Sequence, residues 1–207
     1  MKLTERQNDA LTELINIAFG RTAMALSELT GHRVLLESPI VAVLGLPDLE
    51  GTLARFVPGE VASIHQDFTG PIAGDALLIL SQAGAVALTG LLTDATVAGD
   101  HLDDSSREVL TEVGNILLNA CLSMFGNLLQ VRVTFSVPRL RLESVDELIA
   151  SLSRAGSETR HAIVISVPFK VDETMVTGFL VLVLGVASLQ QLVIEVEAWE
   201  ARTERAS

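Results

Sequence analysis

Cysteine, lysine and tyrosine are almost or wholly missing from this chain, and each absence removes a class of function. Cys121 is the only cysteine among 207 residues, so the chain can build neither an internal disulfide nor a thiolate metal cluster. Set among apolar residues, it reads as a small buried hydrophobe. The only lysines are Lys2 and Lys170, and the formal net charge is −12. A nucleic-acid binder needs a basic stripe to displace counterions from phosphate, and none is present. The same deficit argues against an anionic membrane surface. The four histidines, His32, His65, His101 and His161, show no ligand spacing and read as surface positions on strands or loops. The opening stretch breaks its apolar residues with charge and has no h-region, so no signal peptide is read and a cytoplasmic location is expected.

What is present fits a compact α/β or α+β protein: 49% of residues are hydrophobic and 19% charged. Of two uncharged runs, Ala76–Thr93 and Thr174–Ile194, the second is long enough to span a bilayer. Each divides more naturally into a strand followed by a helix. The second contains Gln190 and Gln191, is flanked by Glu173 and Glu195, and has no basic residue near either end to orient it. No membrane insertion is expected.

The order of elements begins twice. Thr4 to about Leu29 reads as a long amphipathic helix, with Thr4 or Asn8 as its cap and Gly31 as its stop. Leu11, Leu14, Ile15, Ala18, Thr22, Ala25, Leu26 and Leu29 form its apolar face. Strand signals follow at Arg33–Glu37 and Val41–Leu46, then a turn or short helix to Val57, then a hairpin of Val61–Phe68 and Gly74–Leu80 and a helix to Leu92. Asp94–Asp100 reads as a connector. The second pass has a long helix from Asp103 to Leu128, capped by Ser105 or Ser106, with Leu110, Val113, Leu117, Cys121, Met124 and Phe125 on its apolar face. Then come a strand from Gln130 to Val137, a short helix at Val145–Ser153, strands at His161–Lys170 and Met175–Leu184, and a last helix carrying Trp199. The expected fold is α+β: a single domain over residues 1–207, built of two repeats (about 4–94 and 103–199) with pseudo-two-fold symmetry. The repeats share one antiparallel sheet, and the two long helices lie on a common surface.

Within that duplication one pattern recurs at a constant offset of 99 positions. Asp9, Glu13, Asn16 and Pro39 answer to Glu108, Glu112, Asn115 and Pro138. On the helical wheel Asp9, Glu13, Asn16 and Gly20 fall on one stripe opposite the apolar face, and Glu108, Glu112, Asn115 and Asn119 do the same in the second helix. A polar stripe is what any surface helix shows. Two mid-helix asparagines at matched positions ask for more, because Asn competes for backbone hydrogen bonds and is poor in helix interiors. A carboxamide both donates and accepts, so it can hold a water in a fixed direction, though it is too weak a base to take its proton. Phosphoryl hydrolysis calls for such a group when electrophile and metal are already in place. The glutamate beside it suits a cation on a partner. With neither nucleophile nor charge clamp of its own, the pair makes sense when inserted into another protein's active site.

These residues resemble the signature of the CheC/CheX/FliY phosphatases of bacterial chemotaxis: Asp or Ser, three residues, Glu, two residues, Asn, twenty-two residues, Pro. The first copy matches in full; in the second, Glu108 stands where Asp or Ser is usual. The helices DALTELINIAFGRTAMALSEL and REVLTEVGNILLNACLSMFGN also look like the family, and two copies near this length resemble the CheC type. The resemblance implies hydrolysis of the aspartyl phosphate of a CheY-type receiver. Glu13 and Glu112 would engage the receiver lysine, Asn16 and Asn115 would orient water, and Mg²⁺ would come with the phosphorylated receiver rather than from a cofactor of this chain. Asp9 and Glu108 are supporting candidates, and Pro39 and Pro138 shape the strand behind each site helix. The family often carries Gly just before the Asn; Gly114 keeps it and Ile15 does not, so two unequal sites are expected. The competing reading is a non-catalytic module of the flagellar-switch type that binds a receiver or a CheD-type deamidase. A two-carboxylate hydrolase using Glu13 with Asp9, or Glu112 with Glu108, would lack substrate-binding aromatics, which make up only 4% of the chain.

Overall fold

The computed structural model describes residues 3–31, 33–36, 39–57, 59–93, 102–154, 160–171 and 174–206. The connector at 94–100, with His32 and His101, lies outside them. The chain runs α1 (Glu5–Thr30), β1 (Val34–Leu36), β2 (Ile40–Gly45), α2 (Leu46–Phe56), β3 (Glu60–Thr69), β4 (Gly74–Ser81) and α3 (Gln82–Thr93). It then repeats the order as α4 (Asp104–Leu129), β5 (Thr134–Phe135), β6 (Arg139–Ser144), α5 (Val145–Arg154), β7 (Arg160–Val171), β8 (Thr174–Gly185) and α6 (Val186–Ala206).

The long helices start where the capping chemistry puts them. Thr4 closes a capping box on α1: its hydroxyl accepts from Gln7 N at 3.3 Å, and Gln7 Oε1 accepts from Thr4 N at 2.9 Å. On α4 the cap is Asp103, not Ser105 or Ser106; its Oδ1 accepts from Ser106 N at 2.7 Å. A carboxylate caps about as well as a hydroxyl and adds a favourable charge at the positive end of the helix, and the Ser106 hydrogen bonds hold Asp103 below the usual carboxylate range. Both helices end in the left-handed region, α1 at Gly31 (φ 72°) and α4 at Gln130 (φ 62°).

Eight antiparallel strands form one sheet that neither half owns. The order is β1–β7–β8–β4–β3–β5, with β2 also paired to β7 and β6 to β3. The two halves therefore exchange edge strands: Ile40 of β2 pairs with Ser166 of β7, and Arg139 of β6 with His65 of β3. At the centre Leu78 of β4 pairs with Leu180 of β8, and the pseudo-two-fold axis passes between them.

Both faces of this sheet are covered, which explains the two uncharged runs. Along β4, Ala76, Leu78 and Leu80 face the layer of α1, α3, α4 and α6, while Leu77 and Ile79 face α2 and α5. A strand buried on both sides loses the usual alternation of polar and apolar residues. The runs are β4 plus α3 and β8 plus α6. Among the described residues α4 alone has the length and hydropathy of a membrane span; here it packs on the sheet through Leu110, Leu118, Cys121, Leu122 and Leu129. That face is rotated from the expected one, with Leu118 and Leu122 buried and Leu117, Met124 and Phe125 only partly so. Two strand expectations are also corrected. The segment Gln130–Val137 gives only the short β5, and Pro39 and Pro138 end no strand: they directly precede β2 and β6. A residue without an N–H is tolerated there because both begin edge strands.

Candidate functional site

α1 and α4 lie in contact in the same layer, and the glutamates of each stripe face solvent. Burial fixes this orientation. On α1, Leu11, Leu14, Ile15, Ala18 and Thr22 are all buried, while Asp9, Glu13 and Gly20 are exposed and Asn16 is half-buried. On α4, Leu110, Val113, Gly114 and Leu118 are buried; Glu108 and Glu112 are exposed, and Asn115 and Asn119 half-buried. Each long helix thus displays a glutamate and, three residues later, an asparagine whose base is set into the helix layer. Among the described residues neither Glu13 nor Glu112 has an ion-pair or hydrogen-bond partner, so both carboxylates can accept a cation from outside.

The second copy sits beside a groove of about 390 Å³ between α4 and β6, lined by Arg107, Glu108, Thr111, Glu112, Leu140 and Leu142. Glu108 and Glu112 share that groove, and its floor is apolar. Another groove, about 350 Å³, lies at the far end of α4 around Ser123, Asn127 and Arg132 and contains none of the paired residues. The prolines stand apart from the chemistry. Pro39 is buried and Pro138 half-buried, one residue before the edge strands that flank the sheet.

Sequence reasoning missed what lies beneath Asn115. Its Oδ1 accepts from Asn119 Nδ2 at 2.5 Å. Asn119 Oδ1 in turn accepts from Gln66 Nε2 at 3.0 Å, and Gln66 also donates to Ser136 O at 3.0 Å. Gln66 is a buried β3 residue. A glutamine in an apolar strand was the available signal, since buried carboxamides need partners.

Other polar groups belong to the fold. Ser63, His65 and Glu143 cluster on the opposite face of the sheet, with His65 Nε2 3.0 Å from Glu143 Oε1 and Ser63 Oγ donating to the same oxygen at 2.5 Å. Both Ser63 and Glu143 meet the one nitrogen Nε2, so this is not the relay of a hydrolytic triad, which needs the two ring nitrogens in different roles. His65 is half-buried and His161 buried, which corrects their assignment to the surface. Burial lowers the pKa of both, in His65 despite the attraction of Glu143. Cys121 is fully buried, its thiol pushed up to about 12 by desolvation, and it is no nucleophile. No group of three or more His, Cys, Asp or Glu among the described residues has the geometry to hold a metal.

No family model matches the chain. Curated relatives do, two of them from Bacillus subtilis. The CheY-P phosphatase CheC of Bacillus subtilis is 29% identical over 173 residues, covering 79% of this chain and 79% of that protein. The flagellar motor switch phosphatase FliY of the same organism is 26% identical over 147 residues, covering 70% of this chain but only 38% of its own length. This chain therefore spans well under half of that relative. Among solved structures, Thermotoga maritima FliY superposes with a TM-score of 0.78 at 18% identity, over 98% of this chain and 99% of that one. A chain of the CheX–CheY–BeF3–Mg²⁺ complex of Borrelia burgdorferi superposes with a TM-score of 0.50 at 15% identity, over 81% and 96%.

Proposed function

We propose that this chain, which belongs to the CheC/CheX/FliY family, hydrolyses the aspartyl phosphate of a CheY-type receiver domain. The observation that carries the reading is the doubled display on α1 and α4: an exposed glutamate, unpaired among the described residues, followed one helical turn later by a half-buried asparagine, at pseudo-two-fold positions. The relative named a CheY-P phosphatase, 29% identical to this chain, supports it.

In this reading Glu13 or Glu112 accepts the ammonium of the receiver lysine, a charge-assisted contact that fixes how the helix enters the receiver's site. Asn16 or Asn115 then hydrogen-bonds the attacking water and points its lone pair at phosphorus. Water oxygen bonds to phosphorus as the bond to the aspartyl oxygen breaks, and inorganic phosphate leaves with the receiver carboxylate restored. The chain contributes position, and the electrophile and Mg²⁺ arrive with the receiver. Asp9 and Glu108 add negative charge one turn upstream, and Pro39 and Pro138 set the strands behind the helices. The reaction places the chain in the cytoplasm with its receiver; a CheD-type deamidase is a further partner to test by co-purification.

The test is the lifetime of the phosphoryl group on an acetyl-phosphate-treated CheY-type receiver, with and without the chain. A shortened lifetime that returns to the receiver's own rate in the Asn16→Ala/Asn115→Ala double variant supports the reading. Binding without acceleration overturns it in favour of a non-catalytic receiver-binding module.

A further inference from the structure

The two copies of the motif are not held alike. Asn115 is the outer end of a hydrogen-bonded chain that starts in the sheet. Ser136 is clamped to β3 twice, its N donating to Asp67 O and its Oγ accepting from Asp67 N, both at 2.9 Å. Its carbonyl accepts from Gln66 Nε2 at 3.0 Å, the same nitrogen donates to Asn119 Oδ1 at 3.0 Å, and Asn119 Nδ2 donates to Asn115 Oδ1 at 2.5 Å. Gln66 is only 2% exposed, and its Oε1 finds no partner among the described residues, so its burial is tolerated for what the nitrogen does.

The first copy lacks both carboxamides of this hydrogen-bonded chain. Gly20 stands where Asn119 does. The pairings of Ile40 with Ser166 and of Arg139 with His65 make Val167 the strand position equivalent to Gln66. Among the described residues Asn16 has no side-chain hydrogen bond.

A free asparagine has a broad, nearly two-fold terminal torsion, so its oxygen and nitrogen exchange places at little cost. A donor fixed against Oδ1 removes that freedom. It leaves the second lone pair of Oδ1 and both Nδ2 protons for the incoming water and phosphoryl group. We propose that Asn119 and Gln66 are positioning residues for the second site, locking the Asn115 carboxamide in one orientation before the partner arrives, while Asn16 is ordered only on docking. The proposal rests on the phosphatase reading and adds an order of strength to its two sites.

Kinetics are measured in the Asn16→Ala background, where only the second site remains, using the acetyl-phosphate-treated receiver. Asn119→Ala and Gln66→Leu each lower kcat by about tenfold, the scale expected when a reacting group loses its alignment, with KM changed by less than about twofold. Asn119 is half-buried, so its truncation tests the idea even if Gln66→Leu fails to fold. In the free chain, ¹⁵N relaxation of the Asn115 side-chain NH₂ reports a rigid group that loosens in either variant, while the Asn16 NH₂ is mobile throughout. Gly20→Asn combined with Val167→Gln in the Asn115→Ala background raises the residual kcat. A wild-type chain that leaves the phosphoryl lifetime unchanged overturns the function reading and this proposal with it. An active wild type whose Asn119→Ala variant keeps its kcat, or loses only KM, overturns the proposal alone, as does an Asn115 NH₂ that is mobile in the wild type.

Discussion

Gly114 of α4 lies directly against Ile64 of β3: a methyl group at Gly114 would come within 2.9 Å of Ile64 Cγ1 and 3.0 Å of its Cδ1. The equivalent residue on α1 is Ile15, buried and 1% exposed. A glycine just before the site asparagine thus seats α4 close to the strand that carries Gln66. Gly114→Ala forces Ile64 aside, and the expected cost is about 1–3 kcal/mol, typical of overpacking. Urea unfolding measures it. Because the shift lifts Asn119 from Gln66, the same variant is expected to lower kcat of the second site; Ile15→Ala would leave that site untouched.

The two sites add rather than depend on each other in the phosphatase reading. Asn115→Ala should therefore remove more than half of the total kcat and Asn16→Ala less than half, with the double variant at the receiver's own rate. Single-turnover decay of the phosphorylated receiver separates the three cases. Equal losses from the two single variants would contradict the difference in how the carboxamides are held.

Gln130 occupies the left-handed region at the end of α4, where α1 uses Gly31. A side chain there costs about 1–2 kcal/mol, part of which returns as the greater unfolded-state freedom of glycine. Gln130→Gly is expected to stabilise the chain by about 0.5–1 kcal/mol, read as a rise in Tm, with phosphatase activity unchanged.

Protonating His65 works against the fold. Burial lowers its folded pKa from the usual 6.5, outweighing the pull of Glu143. The unfolded chain therefore binds the proton first as pH falls. This contribution to stability is complete above the unfolded value and declines as pH drops from about 6.5 toward the depressed folded pKa. His161 acts in the same direction. Urea midpoints between pH 7.5 and 5.5 should fall, and His65→Asn should make that slope shallower; an unchanged slope would rule His65 out as a contributor.

The fold was legible because its signals are local. The 99-residue offset of the motif is the offset between α1 and α4, β2 and β6, and α2 and α5, and helix periodicity separated stripe from core on α1 but left the core face of α4 rotated. The α4 cap lies two or three residues before the expected serines, and the prolines start strands instead of ending them, since hydroxyl and carboxylate caps compete closely and proline marks either end of an edge strand. The Gln66–Asn119 tether was out of reach for another reason. Its members are 53 positions apart and meet only through the packing of a helix on a strand, which no spacing within one element encodes.

The exchange of edge strands sets the timetable of folding. β2, which follows the first motif helix after the short β1, finds its partner in β7, more than half the chain later, and β1 pairs with the last residues of that same strand. Contacts of such sequence separation form slowly, after costly loop closure. The first site can be built only when nearly all of the polypeptide has left the ribosome, and a chain cut between its halves leaves β7 and β3 each with a vacant edge that only the missing half can fill.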